Sequence, residues 1–154
     1  MQSRSIPFPQ ISNAEPIREV IKEAFDTDIE ISGGWGYSIS DAVILPDNLN
    51  SVKQLQHTIA TMRAHLEMNL TQPPENSYGG INLNEISREN IRDNGINYSK
   101  VSYRASAMKE SDYEKFIDEY KEGSMRDDFD LESHFDARKK ATIHREINVW
   151  FVAN

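Results

Sequence analysis

The spacing of apolar residues changes period several times along the chain, and each change marks an element. Ile17, Val20, Ile21, Ala24 and Phe25 recur at i, i+3, i+4, i+7 and i+8, the single buried stripe of an amphipathic helix. Asn13 is its expected N-cap, and Pro16 is tolerated because first-turn amides have no partner inside a helix. The helix is expected to end near Asp26. Asp28 to Ser32 then alternates as a short strand, and Gly33-Gly34-Trp35-Gly36 supplies turn residues before a second strand over Tyr37 to Leu45. Together they predict a β-hairpin.

Pro46-Asp47-Asn48 stops that strand, and Ser51 with Gln54 forms a capping box for a long helix over 49–68, with the stripe Val52, Leu55, Ile59, Met62 and Leu66. The aperiodic stretch from Asn69 to Gly80, with two consecutive prolines, is a surface loop. Residues 81–92 suit either a strand or a short helix. Asp93-Asn94-Gly95 makes a turn into a strand over Ile96 to Ala107, where a change of apolar parity predicts a bulge at Ser99-Lys100. Ser111 with Glu114 caps a helix whose stripe is Tyr113, Phe116, Ile117 and Tyr120, closed by Gly123. Residues 127–136 read as irregular or weakly helical. Thr142 to Val152 is a strand, apolar on both faces over its last six residues apart from Asn148, and so central in its sheet. Helices and strands mix without βαβ alternation. The expected fold is therefore α+β, a single domain over 13–154 with a mainly antiparallel sheet and helices packed on one face, preceded by an extended arm over 1–12.

Composition narrows the function classes. The chain has 154 residues, no cysteine and a net charge of −8, which excludes disulfide scaffolds and Cys-based zinc sites and argues against binding nucleic-acid phosphates. No signal peptide or membrane span is visible, so a cytoplasmic location is expected. The charge is regional: Glu110 to Asp136 holds eleven acids and three bases, a balance equal to that of the whole chain. On the helix, Glu110, Asp112 and Glu114 suit the N-terminal dipole, but Asp118, Glu119 and Glu122 lie toward the unfavourable end and helix stability does not account for them.

Motifs with chemical content are few. The Gly33–Gly36 string lacks the following helix and the lysine of a phosphate loop, which leaves a hairpin turn or an exposed Trp35–Tyr37 pair of the type that anchors interfaces. Asp128-Phe-Asp130-Leu-Glu132 opens like a calcium loop, but Ser133 stands where glycine is needed and Lys139 where glutamate is needed. His57 and His65 are two helical turns apart, too far to share a metal. His144 and Glu146 share one face of a strand, and His134 with Asp136 could in principle join them. Asp41 has the parity of the core in the second predicted strand, so a bulge or a buried carboxylate paired with Arg104 or Arg145 is expected there.

The expected function is a non-enzymatic, acidic, protein-binding domain with no cofactor and no metal. Its partner would be a basic protein, as for an immunity-protein or antitoxin-like inhibitor that occludes a nuclease toxin. Its candidate contacts are Asp118, Glu119, Glu122, Asp127, Asp128, Asp130 and Glu132, with Trp35 and Tyr37. The alternative is a small enzyme or ligand-binding domain with a pocket near Trp35, Tyr37, Asp41, His144 and Glu146. A structural subunit joined through the 49–68 helix is a third.

Overall fold

Three helical stripes and the long apolar strand account for most of the architecture. The computed structural model describes residues 9–46, 51–69 and 77–153; the stop at Asp47-Asn48, most of the 69–80 loop and the first eight residues of the arm lie outside them. The order of elements is α1 (Ile17–Phe25), β1 (Ser32–Gly33), a 3-10 turn (Ile39–Asp41), β2 (Val43–Ile44), α2 (Val52–Asn69), β3 (Tyr78–Asp93), β4 (Ile96–Lys109), α3 (Glu110–Gly123), α4 (Leu131–Ala141) and β5 (Ile143–Ala153). The strands form one sheet in the order β1-β2-β5-β4-β3, with only the β2–β5 contact parallel. The result is a single α+β domain.

β5 lies third of the five strands, as its apolar content requires. Ile147, Val149 and Phe151 enter the core beside Val101, Tyr103 and Ala105 of β4. That core takes one parity of each long strand, and Ile17 and Ile21 of α1 and Ile59, Ala60, Ala64 and Leu66 of α2 complete it. So α1 and α2 cover one face of the sheet. On the opposite face, Lys100 and Trp150 pair across β4 and β5, and Tyr98 packs edge-on against Trp150 with ring centroids 6.4 Å apart.

Residues 81–92 are strand. β3 and β4 form a long hairpin closed by Asn94 and Gly95, with φ of 48° and 77°, the two positive values that a tight two-residue turn demands. The expected bulge falls on the other strand. The register of β4 against β5 runs unbroken from Asn97 to Ala107, whereas on β3 one residue, Ile86, is extra between Glu85, opposite Tyr103, and Ser87, opposite Ser102. No parity change was needed in β4, because Tyr98 simply faces the open side with Trp150.

Other boundaries move for local reasons. α1 starts at Ile17 after Pro16, and Asn13, three residues back, does not cap it. The predicted Tyr37–Leu45 strand shrinks to β2, because Asp41 folds the 3-10 turn by accepting hydrogen bonds from Ser38. α3 begins one residue before Ser111, with no side-chain cap at Lys109. The 127–136 stretch contains the start of α4, capped by the Asp130 carboxylate, which accepts from the Ser133 backbone N–H at 3.0 Å and from its hydroxyl at 2.9 Å. Among the described residues no helix is long and apolar enough to cross a membrane.

Candidate functional site

The Gly33–Gly36 string serves the core. Gly36, at φ 78°, lies so close to β5 that a Cβ there would meet the Trp150 carbonyl oxygen at 2.7 Å, and its own carbonyl accepts the Trp150 N–H at 2.8 Å. This close approach seats Trp35 inside the core at 0% exposure. The exposed Trp35–Tyr37 pair is thereby corrected: Trp35 is not a surface anchor, and Tyr37 is half-buried with its hydroxyl turned inward.

What Tyr37 reaches is an ionic cluster that apolar patterning does not reveal. α2 buries Gln56, Arg63 and Glu67 along with Ile59, Ala60 and Ala64, while Val52 of the predicted stripe is exposed. Glu67, 1% exposed, accepts from Tyr37 Oη at 2.5 Å and from Arg145 Nη1 at 2.8 Å, and lies 3.4 Å from Arg63 Nε. Arg63 also donates to the Trp35 carbonyl at 3.2 Å and stacks 4.2 Å from the centre of the Tyr37 ring. The Ile11 N–H donates to Tyr37 Oη at 2.9 Å, which ties the N-terminal arm to the same cluster. Burial first and the Glu67 carboxylate second raise the Tyr37 phenol above its ordinary value, and burial lowers the Arg63 guanidinium. The one signal in the sequence was the i, i+4 pair Arg63–Glu67 on the helix face that also carries Ile59 and Ala60.

This cluster changes the place of Asp41. The buried carboxylate partnered by Arg145 is Glu67, whereas Asp41 is half-exposed and, besides Ser38, accepts from the Asn13 side chain at 3.2 Å. His144 and Glu146 sit on the open face of the sheet opposite Ser106 and Arg104, while Trp35 belongs to the core on the other face. The structure does not bring the pocket of Trp35, Asp41, His144 and Glu146 together. Nor do His134 and Asp136 join it. His134 is fully enclosed, with Nδ1 3.0 Å from Glu119 Oε1 and its ring among Phe116, Tyr120, Phe129 and Phe135 at 5.3–5.8 Å. A carboxylate facing Nδ1 places the ring proton on that nitrogen. Nε2 is buried with no hydrogen-bond partner among the described residues. Among those residues no group of three or more His, Cys, Asp or Glu could hold a metal.

The eleven acids of 110–136 fall into two groups. At 100° per residue, Glu110, Glu114, Asp118 and Glu122 form one row along α3. Each is exposed. Tyr120 points the other way, toward Phe129, His134 and Phe135, so the row faces away from α4. Two shallow grooves flank the row. One, of about 640 Å³, is lined by His65, Tyr78, Glu110, Glu114 and Asp118. The other, of about 560 Å³, is lined by Ser111, Glu114, Lys115, Asp118, Glu119, Glu122 and Arg126. Asp127, Asp128, Asp130, Glu132 and Asp136 make the second group, on the loop and on α4. Among the described residues none of the eleven forms an ion pair with a lysine or arginine of the chain, and only Glu119 is paired at all, to His134. No family model, no curated protein and no solved structure matches the chain.

Proposed function

We propose that this chain is a non-enzymatic, acidic, protein-binding domain of the cytoplasm, acting as an immunity-protein or antitoxin-like inhibitor that occludes a basic partner such as a nuclease toxin. The observation that supports this reading is the row Glu110, Glu114, Asp118 and Glu122. Like charges at i, i+4 cost a helix about 0.2–0.5 kcal/mol per pair, and here no lysine or arginine among the described residues forms an ion pair with the row. Such a row attracts lysines and arginines, raises the association rate at low salt and repels other acidic surfaces. Occlusion follows when the carboxylates take up cationic groups that would otherwise hold phosphate.

The test is co-purification from host lysate at low and high salt, with the wild-type chain and with Glu114→Gln, Asp118→Asn and Glu122→Gln combined. A basic protein held at low salt, released at high salt and missing with the variant is the expected result, and inhibition of its nuclease activity by the wild-type chain carries the finer assignment. Capture that ignores both salt and the variant defeats the reading.

A further inference from the structure

α4 presents an apolar row that none of the described residues covers. Of its large apolar and aromatic side chains only His134 is buried; Leu131 and Phe135, one turn apart on the same face, are 46% and 47% exposed. Tyr120 of α3, 43% exposed, extends the patch, with its ring centroid 6.4 Å from that of Phe135. Charge is segregated along the face of α4 that carries Leu131 and Phe135, Asp136 lying about 100° round the helix from Phe135. Asp127, Asp128, Asp130 and Glu132 gather at its N-terminal end and Arg138, Lys139 and Lys140 at its C-terminal end, with the Arg138 guanidinium 5.7 Å from the centre of the Phe135 ring. The helix dipole favours that order of charges, but it gives no reason for an open Leu131–Phe135 row between them.

We infer that α4 is a self-docking surface, and that a second copy of this chain seats on it with the two α4 helices antiparallel about a twofold axis near Phe135. A surface that is acidic at one end, apolar in the middle and basic at the other is complementary to itself when turned through a half-rotation, which is the requirement of an isologous interface. With Phe135 on the axis, Phe135 packs on its copy, Glu132 of one chain faces Lys139 of the other on the same side of the seam, and Leu131 lies along the aliphatic stem of Arg138. Antiparallel dipoles add to the attraction. The α3 row points away from this contact and stays free for a cationic protein, so the inference is independent of the proposed function.

Sedimentation equilibrium of the full chain at physiological ionic strength tests it. One 11-residue helix makes a small interface, so the average mass should climb from one chain toward two between about 10 μM and 1 mM. Leu131→Ser with Phe135→Ser should abolish the climb. Glu132→Lys alone and Lys139→Glu alone should each weaken association by roughly three- to tenfold, and Glu132→Lys with Lys139→Glu in one chain should restore it, because the swap recreates each pair across the twofold. Thermal melts keep a folding failure apart from a lost contact; should the serine variant unfold, the charge swap decides alone. A monomer at every concentration overturns the inference. So does a dimer indifferent to the serine pair, a charge swap without recovery, or a Leu/Lys amphipathic peptide that occupies the row of a chain that remains monomeric.

Discussion

The α2–β5 core and the α3–α4 unit both enclose polar groups, yet they handle charge in opposite ways. In the first, Glu67 is surrounded by Arg63, Arg145 and Tyr37 and sealed under Trp35, so each charge is answered inside the chain. In the second, the interior holds one histidine–glutamate contact in a cage of aromatic rings, while the remaining carboxylates stand outside without lysine or arginine partners among the described residues. The main cluster of buried apolar residues contains no residue of α3 or α4, which therefore pack on a small core of their own. Charge in the first region is buried and paired within the chain; in the second, apart from Glu119 at His134 and the capping Asp130, it stands at the surface without an ion pair among the described residues.

The sharpest way to break this contrast is to remove Glu67. Glu67→Ala takes the carboxylate away from the buried Arg63 guanidinium, 3% exposed, and from Arg145 and the Tyr37 hydroxyl, and the expected loss is about 3–5 kcal/mol in chemical denaturation. Replacing Arg63, Glu67 and Arg145 together by methionine should recover most of that loss, since buried ion clusters are often no better than well-packed apolar side chains. A triple variant as unstable as the single one would mean that the cluster acts through geometry that methionine cannot reproduce.

His134→Ala probes the second region. It empties the aromatic cage and frees Glu119, at an expected cost of about 2–3 kcal/mol. The effect should be local: tryptic cleavage after Arg126 quickens, while amide exchange in β4 and β5 changes little, because α3 and α4 share few buried groups with the main core. Equal loss of protection in both regions would show a single cooperative unit.

Alkaline titration separates the regions by a smaller effect. Burial, reinforced by Glu67, raises the Tyr37 phenol, and burial with the Glu85 carboxylate pushes Tyr103 up to about 12. Both are folded-state values above the ordinary 10.0, so the protonated phenols stabilise the fold fully below pH 10 and that contribution is lost as pH rises toward 12. Stability of the wild-type chain should fall over that window. Tyr37→Phe lowers stability near neutral pH by about 1.5–3 kcal/mol, the range for a hydrogen bond to a charged group, and it should flatten the alkaline decline.

Much of the fold was legible because it rests on apolar periodicity. The Ile17–Phe25 stripe, the long α2, the Asn94-Gly95 hairpin turn and the central β5 each follow from spacing or from a turn that needs positive φ. The misses share one trait: each turns on a contact that apolar parity does not encode. Asp41 looked like a core residue of a strand because parity cannot see that its carboxylate ties back to Ser38. Gly33–Gly36 looked like an exposed tip because close approach to β5, more than a hundred residues away, leaves no local trace. Glu67 was invisible because Tyr37 and Arg145 reach it from distant strands and turns. Of the candidate contacts on α3, Asp118 and Glu122 fall in the exposed row while Glu119 turns to His134, and Glu110 and Glu114, which the helix dipole accounted for in the sequence, complete the row; its separation from the α4 acids depends on where Tyr120 points.

The smallest effect bears most directly on function. Glu114→Gln with Asp118→Asn removes two members of the α3 row, and a row that served stability would lose by it. The row contains no ion pair with lysine or arginine among the described residues, and Asp118 lies in the C-terminal half of the helix, where the dipole disfavours it. Relief of i, i+4 repulsion should therefore raise stability by a few tenths of a kcal/mol, measured as a small upward shift in the denaturation midpoint at low salt that shrinks as salt is added. A gain in stability combined with loss of a cationic partner would mean that the row is maintained against the interest of the fold, which only an external contact can explain. A loss of stability would return these carboxylates to the protein's own structure and remove the reason for seeking a partner at all.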